Sequence, residues 1–221
     1  MNRKIAIFSL VTVLGVVLDQ ITKYVVRASD AINAPGGVQV IPHFFSIVHA
    51  ENPGAALGML GNLSEPWRIG IFVGFTIIAG IIVFDLFRRL PPGDIFLSTT
   101  LGLILSGALG NAIDRVAKPM WGDKATVTDF LRFYTDDPEL SQTLVDWFGM
   151  AEYPSFNVAD INLVVGVGLF LVHYLFIESR NKGEELEEEL DDELDDTLDP
   201  PEASDGDTPD GEPSKDEAAA Q

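Results

Sequence analysis

Four long apolar stretches divide the chain, at about Ile5–Val26, Trp67–Phe87, Ile95–Ile113 and Val158–Ile177. Each has roughly the 20 residues that a helix needs to cross a hydrocarbon core about 30 Å thick. So many apolar helices leave too little polar surface for a soluble bundle. The pattern predicts an all-α membrane protein with four transmembrane helices. Between the first two runs the periodicity changes. Val38–Ile41 and Phe44–His49 are rich in β-branched and aromatic residues with Pro and Gly nearby, which predicts short strands lying on the bilayer surface. A polar loop of about forty residues separates Arg115 from Asn157, long enough to be functional or disordered. Its acidic part, Tyr134–Ala151, has room for a short amphipathic helix.

Asn2, Arg3 and Lys4 precede the first run, as in a secretory leader. The run continues past Asp19 and Lys23 without a clean small-residue cleavage site, so it reads as a retained helix. Asp19 and Lys23 are spaced i,i+4 with the acid first, the better order for a helical ion pair. On local grounds they form a salt bridge at the membrane edge, with Lys23 snorkelling outward.

Charge divides the chain again. The 221 residues carry a formal charge of −20, but from Glu184 onward 18 acids face a single Lys, leaving −3 for residues 1–183. A nearly neutral membrane domain, 1–183, is thus expected to carry an acidic tail, 184–221, that is disordered because it cannot bury enough apolar area to offset its ordering entropy. With no cysteine in the sequence, thiol nucleophiles, thiolate metal sites and disulfides are excluded. Short-loop Lys and Arg counts favour the side holding both termini and the 88–94 turn as cytoplasmic.

On that topology Asp19, Asn52, Asn111, Asp114, Arg115, Asp129, Asn157 and Asp160 all fall at one membrane face. A lipid-facing protein would not keep such a cluster without a use for it. Asn157 and Asp160, like Asn111 and Asp114, are three apart and share a face on a helix. His43, His49 and His173 are scattered, so a zinc site and a serine–histidine nucleophile lack a motif. Carboxylates are the chemistry that remains. Two of them a few ångströms apart share one proton near neutral pH. The ionised member then takes a proton from water while the protonated member polarises a carbonyl.

These residues also carry a resemblance. Leu18-Asp19-Gln20-Ile21-Thr22-Lys23, Asn52-Pro53-Gly54-Ala55-Ala56, Gly107-Ala108-Leu109-Gly110-Asn111-Ala112-Ile113-Asp114-Arg115, Val127-Thr128-Asp129-Phe130 and Phe156-Asn157-Val158-Ala159-Asp160 occur in the order found in lipoprotein signal peptidase. The chain resembles this family of four-span bacterial aspartic peptidases (signal peptidase II) over about residues 5–178. The resemblance implies a catalytic dyad of Asp129 and Asp160, with Asp19, Lys23, Asn52, Gly54, Asn111, Asp114, Arg115, Asn157 and Ala159 supporting or lining the site. It implies cleavage of a diacylglyceryl-modified prolipoprotein just before its lipidated cysteine, at the outer face of the cytoplasmic (inner) membrane. The first extracytoplasmic loop would form a small β-strand cradle. No cofactor, metal or nucleic acid is implied; the partners are the prolipoprotein and membrane lipids, and a monomer is expected. Asp114 next to Arg115 is a rival for the dyad, but pairing with Arg115 would make it a poor proton sharer, so it reads as structural.

The chain departs from the family in having Ser106 at the first position of a usual double glycine, and in longer stretches from Asp114 to Asp129 and from Asp129 to Asp160. Two other readings compete. A proton-coupled carrier needs a polar path across the whole span, whereas only Asp85 and Glu178 lie near the other face. A non-catalytic scaffold accounts for the tail and nothing else.

Overall fold

The computed structural model describes residues 3–54, 63–149 and 152–178. The acidic tail, with Ala55 and Ala56 of the second motif, lies outside the described residues. Among the described residues, four helices are long and apolar enough to cross a membrane: α1 (Arg3–Ala28), α3 (Glu65–Arg89), α4 (Ile95–Met120) and the last, which runs to Phe176 and whose α-helical part is α6 (Val158–Val172). A single turn, α2 (Asp30–Asn33), follows α1. The helix expected in the acidic part of the long loop is α5 (Pro138–Phe148), started by Asp137 accepting from Glu139 N and Leu140 N and ended at Gly149.

The central helix is α4, which packs against α1, α3 and α6. Small residues make this possible. A Cβ on Gly110 would stand 2.6 Å from Asp19 Oδ2 and 2.9 Å from the Ala159 Cβ; one on Gly166 would stand 2.7 Å from Ile104 Cγ1. Without a hydrophobic drive between helices in lipid, such close backbone approach supplies the packing. Gly110→Ala is therefore expected to push α4 off both neighbours and cost about 1–3 kcal/mol. A melting curve in detergent unchanged from the parent would contradict this.

The Ser106 departure has a packing counterpart. Gly15 on α1 leaves room for it, since a Cβ there would lie 2.5 Å from Ser106 Oγ. The hydroxyl donates to Leu103 O at 2.8 Å and accepts from Asn162 Nδ2 at 3.1 Å, tying α4 to α6 inside the span. At the opposite end, Lys4 Nζ donates to Leu90 O at 2.6 Å and Phe8 stacks on Phe87. Thus the start of α1 and the end of α3 share one face, as four alternating spans require.

A three-stranded antiparallel sheet, β1 (Val38–Ile41), β2 (Phe45–Asn52) and β3 (Val127–Phe133), lies in that order at the other end. The first two were expected, though β2 runs on to Asn52. The third was not, because Val127–Phe130 are buried irrespective of face and so lack the alternation of a half-exposed strand. α4 also extends past its predicted end at Ile113. Its charged last turns are not a terminus, because Asp114 and Lys118 find partners there.

Candidate active site

Two layers of polar side chains fill the space between the sheet and the ends of α1, α4 and α6. The deeper layer is built on Lys23. Its ammonium lies 2.9 Å from Asp19 Oδ2, 3.2 Å from Asp114 Oδ2 and 3.1 Å from Asn111 Oδ1, with no solvent exposure. Lys23 therefore does not snorkel outward. α1 turns this face toward α4, where the carboxylates of two helices compensate the buried charge better than the membrane edge would.

Asp19 reaches further. Its Oδ1 accepts from Ala159 N at 3.0 Å, so a carboxylate of α1 satisfies one of the free first-turn N–H groups of α6. Asp114 Oδ2 accepts from Thr128 N at 3.0 Å, and Oδ1 accepts from Gln20 Nε2 at 3.3 Å, pinning β3 to α4 and α1. The cations beside Asp114 are Lys23 and, at 3.9 Å, Arg27. The expected Arg115 pairing is not what holds it. Arg115 points the other way, with its guanidinium 4.1 Å from the Phe72 ring centre and Nη1 donating to Asn111 O.

The upper layer holds Asp129 and Asp160. Asn157 begins α6 as its N-cap, in extended conformation rather than on a helical face as its spacing predicted. Its Oδ1 accepts from Asp160 N at 3.1 Å while Asp160 Oδ2 accepts from Asn157 N at 3.0 Å, a reciprocal capping box. This leaves Asn157 Nδ2 free to turn outward, where it donates to Asp129 Oδ1 at 2.7 Å and to Asn111 Oδ1 at 3.1 Å. Asn111 Nδ2 closes the ring on Asp160 Oδ1 at 2.7 Å. One asparagine side chain thus touches both carboxylate-bearing elements.

Asn52, at the end of β2, donates to Asp129 Oδ2 at 2.8 Å and accepts from Gly54 N at 2.8 Å. Gly54 has φ +89°, and a Cβ on it would strike the Phe72 ring, so only glycine serves there. Burial pushes the Asp129 carboxyl up to about 6; Asn52 and Asn157 donate against the shift, and the nearby Asp160 carboxylate adds to it. Below Asp160 an apolar cavity of about 250 Å³, lined by Tyr153, Phe156, Ile161, Val164 and Val165, opens along α6.

All the positions singled out in the sequence gather in these two layers. Several partners were not singled out. Lys118 Nζ bonds Glu51 Oε2 at 2.6 Å and Thr128 Oγ1 at 2.7 Å, while Arg27 Nη1 donates to Thr128 Oγ1 at 3.1 Å. Burial opposes ionisation of Glu51, but hydrogen bonds from Lys118, Thr126 and His49 together hold its carboxyl below the usual range. Gln20 and Thr128 carried a signal, by lying inside the first and fourth motifs.

A family model described as signal peptidase (SPase) II matches residues 11–176. A lipoprotein signal peptidase of Symbiobacterium thermophilum is 36% identical, covering 76% of this chain and 93% of its own length. Another, of Moorella thermoacetica, is 34% identical over 80% of this chain and 98% of that protein. Among solved structures, a bacterial membrane enzyme determined at 1.9 Å resolution is similar with TM-score 0.59 and 31% identity, covering 80% of this chain and 98% of that one. With the family model spanning three of the four transmembrane helices whole and most of the first, and relatives aligned over nearly their full lengths, this chain belongs to the signal peptidase II family.

Proposed function

We propose that this protein is an aspartic endopeptidase that removes the signal peptide from diacylglyceryl-modified prolipoproteins, with Asp129 and Asp160 as the catalytic pair. The observation that carries this is the Asn157 side chain, hydrogen-bonded to Asp129 while its own backbone is capped by Asp160. The two acids come from different elements and are held on a common residue at the start of a span. Asp129, displaced upward to about 6 by burial, is the member that keeps the shared proton.

The chemistry follows from that asymmetry. Asp160 takes a proton from a water, and the water oxygen attacks the scissile carbonyl carbon. Asp129 gives its proton to the carbonyl oxygen as it becomes tetrahedral. Collapse re-forms the C=O as one hydroxyl returns its proton to Asp129, and the C–N bond breaks as the proton held by Asp160 passes to the leaving amine of the lipidated cysteine, which restores the pair. Asn52, Asn111 and Asn157 fix the acids, and the Arg115 guanidinium, over the Phe72 ring with Nη1 on Asn111 O, supports the same layer. Asp19, Lys23, Asp114, Gly54 and Ala159 hold the elements in register. No metal or other cofactor is called for by this sequence of proton transfers.

The lipid requirement is supported by the apolar cavity beneath Asp160, which faces outward along α6. We place both termini in the cytoplasm and the paired acids at the outer face of the inner membrane, with residues 1–183 as a monomeric peptidase domain and 184–221 as an appendage. The deciding experiment is purified protein with a diacylglyceryl-modified precursor and its unmodified twin. Cleavage of the lipidated one alone is expected; equal cleavage of both, or of neither, would reject the reading.

The rate should also carry the signature of Asp129. A proton needed on a group that titrates near 6 is lost as pH rises, so kcat/KM should fall about tenfold per pH unit above that value. Asn52 donates to the ionised form and so lowers this value. Asn52→Leu should move the falling limb to higher pH, and a limb left in place would refute the role given to Asn52.

A further inference from the structure

The longer stretch between Asp129 and Asp160 contains α5, and α5 has no substantial packing partner among the described helices and strands. Its residues are nonetheless sorted by face. Leu140, Leu144 and Trp147 follow one another at spacings of four and three, flanked by Val145, while Glu139, Gln142, Thr143 and Asp146 take the other side. Leu140 is 49% exposed and Trp147 79%. An apolar stripe of this kind needs something to cover it.

What lies within reach is the bilayer boundary. α5 is rooted at Phe133, the last residue of β3, whose ring stacks on Phe156 with centres 5.9 Å apart. Phe156 immediately precedes the N-cap of α6, where the last span begins. Five steps of chain keep Pro138 within about 18 Å of Phe133. A second tether, His43 Nδ1 to Asp136 Oδ2 at 2.5 Å, holds the root of α5 against the turn between β1 and β2.

The same end of the bundle presents outward-facing aromatics from every other quarter: Tyr24 in the last turns of α1, Trp67 at the start of α3, Trp121 at the end of α4 and Tyr153 before α6, each more than half exposed. Such a ring marks the headgroup level of a membrane. Trp147 on α5 extends it.

We propose that α5 is an interfacial helix, docked with Leu140, Leu144 and Trp147 in the headgroup layer of the outer leaflet. Interfacial helices commonly add basic residues that bind anionic lipid. This one does the reverse, for residues 133–157 contain no Lys or Arg and include Asp136, Asp137, Glu139, Asp146 and Glu152. Docking here rests on apolar burial alone and is opposed by a negatively charged surface. The occupant is accordingly a zwitterionic lipid surface, and the segment between the two acids is held down beside the cavity along α6.

The chain's tryptophans are Trp67, Trp121 and Trp147, so Trp67→Phe with Trp121→Phe leaves Trp147 as the sole probe. The full chain is reconstituted in phosphatidylcholine vesicles whose acyl chains are brominated either near the headgroup or near the methyl end. Bromine near the headgroup should quench Trp147 by about twofold or more, and bromine near the methyl end less. Phosphatidylglycerol vesicles at low salt should weaken the quenching, and added salt should restore it. Leu140→Glu with Leu144→Glu should release Trp147 to aqueous iodide while leaving thermal stability unchanged. Full access to iodide with no quenching by lipid in the parent would overturn the proposal. Protection from both quenchers would also overturn it, pointing instead to a cover provided by a second copy or by the chain itself.

Discussion

Replacing Asp129 or Asp160 by Asn should lower cleavage of a lipidated precursor by roughly 10²–10⁴-fold, the range that a general acid or base contributes. The side chains keep their shape, so the comparison isolates the proton. In Asp160→Asn the amide oxygen can still accept from Asn157 N and complete the cap of α6. Each substitution also carries a cost to the fold, because Asn52 Nδ2 and Asn157 Nδ2 both donate toward the Asp129 carboxylate, as Asn157 N and Asn111 Nδ2 do toward that of Asp160. An amide at either position can accept on one side only, which leaves one donor poorly matched at about 1–3 kcal/mol. The melting temperature in detergent separates this loss from the chemical one. Parent-level cleavage by either folded variant would remove that residue from the pair. Asp114→Asn is the informative contrast, since Asp114 accepts from Thr128 N and pairs with Lys23 rather than with a proton-sharing acid. It should damage stability more than rate.

The second large effect is expected at Lys23. Substitution by Met preserves length and apolar bulk but leaves Asp19 and Asp114, at 0% and 2% exposure, without their shared cation. Removing one partner of a buried pair typically costs about 3–5 kcal/mol, because the remaining charge is stranded. For a chain of this size that corresponds to a fall in melting temperature of roughly 10 °C. Combining Lys23→Met with Asp19→Asn should recover part of the loss, since the second change relieves the charge stranded by the first. An unaltered melting curve for Lys23→Met alone would mean that the ion cluster does not brace the fold. Asp19→Ala should also act mainly on stability, because it frees Ala159 N at the start of α6.

Different features were legible in the sequence to different degrees. The strands β1 and β2 announce themselves by β-branched and aromatic residues. β3 has such residues too, in Val127, Thr128, Phe130 and Phe133, but its first four residues are all buried and so lack the alternation of a half-exposed strand. Ile113 looked like the end of a span because the next residues are charged, yet α4 continues to Met120 since those charges meet Lys23, Glu51 and Thr128. Lys23 shows the same limit from the other side. A lysine near a helix end snorkels unless a neighbouring helix offers it acceptors, and its own segment cannot reveal that α4 does.

Hydropathy along the chain was enough to settle the number of spans, because the cost of placing residues in hydrocarbon is nearly additive and local. The motifs were enough to single out the acids and asparagines that the fold gathers at one end of the bundle, because polar side chains at the ends of apolar spans stand out. Only the tertiary structure decided how they are wired. Asn157 joins Asp129 to the cap of α6, Asp19 of α1 closes the same helix, and Lys23 serves two carboxylates at once. Apart from the i,i+4 pair of Asp19 and Lys23, these bonds span dozens of residues, and their geometry depends on how closely α1 and α6 approach α4 through Gly110 and its small neighbours. No single stretch of sequence contains that distance.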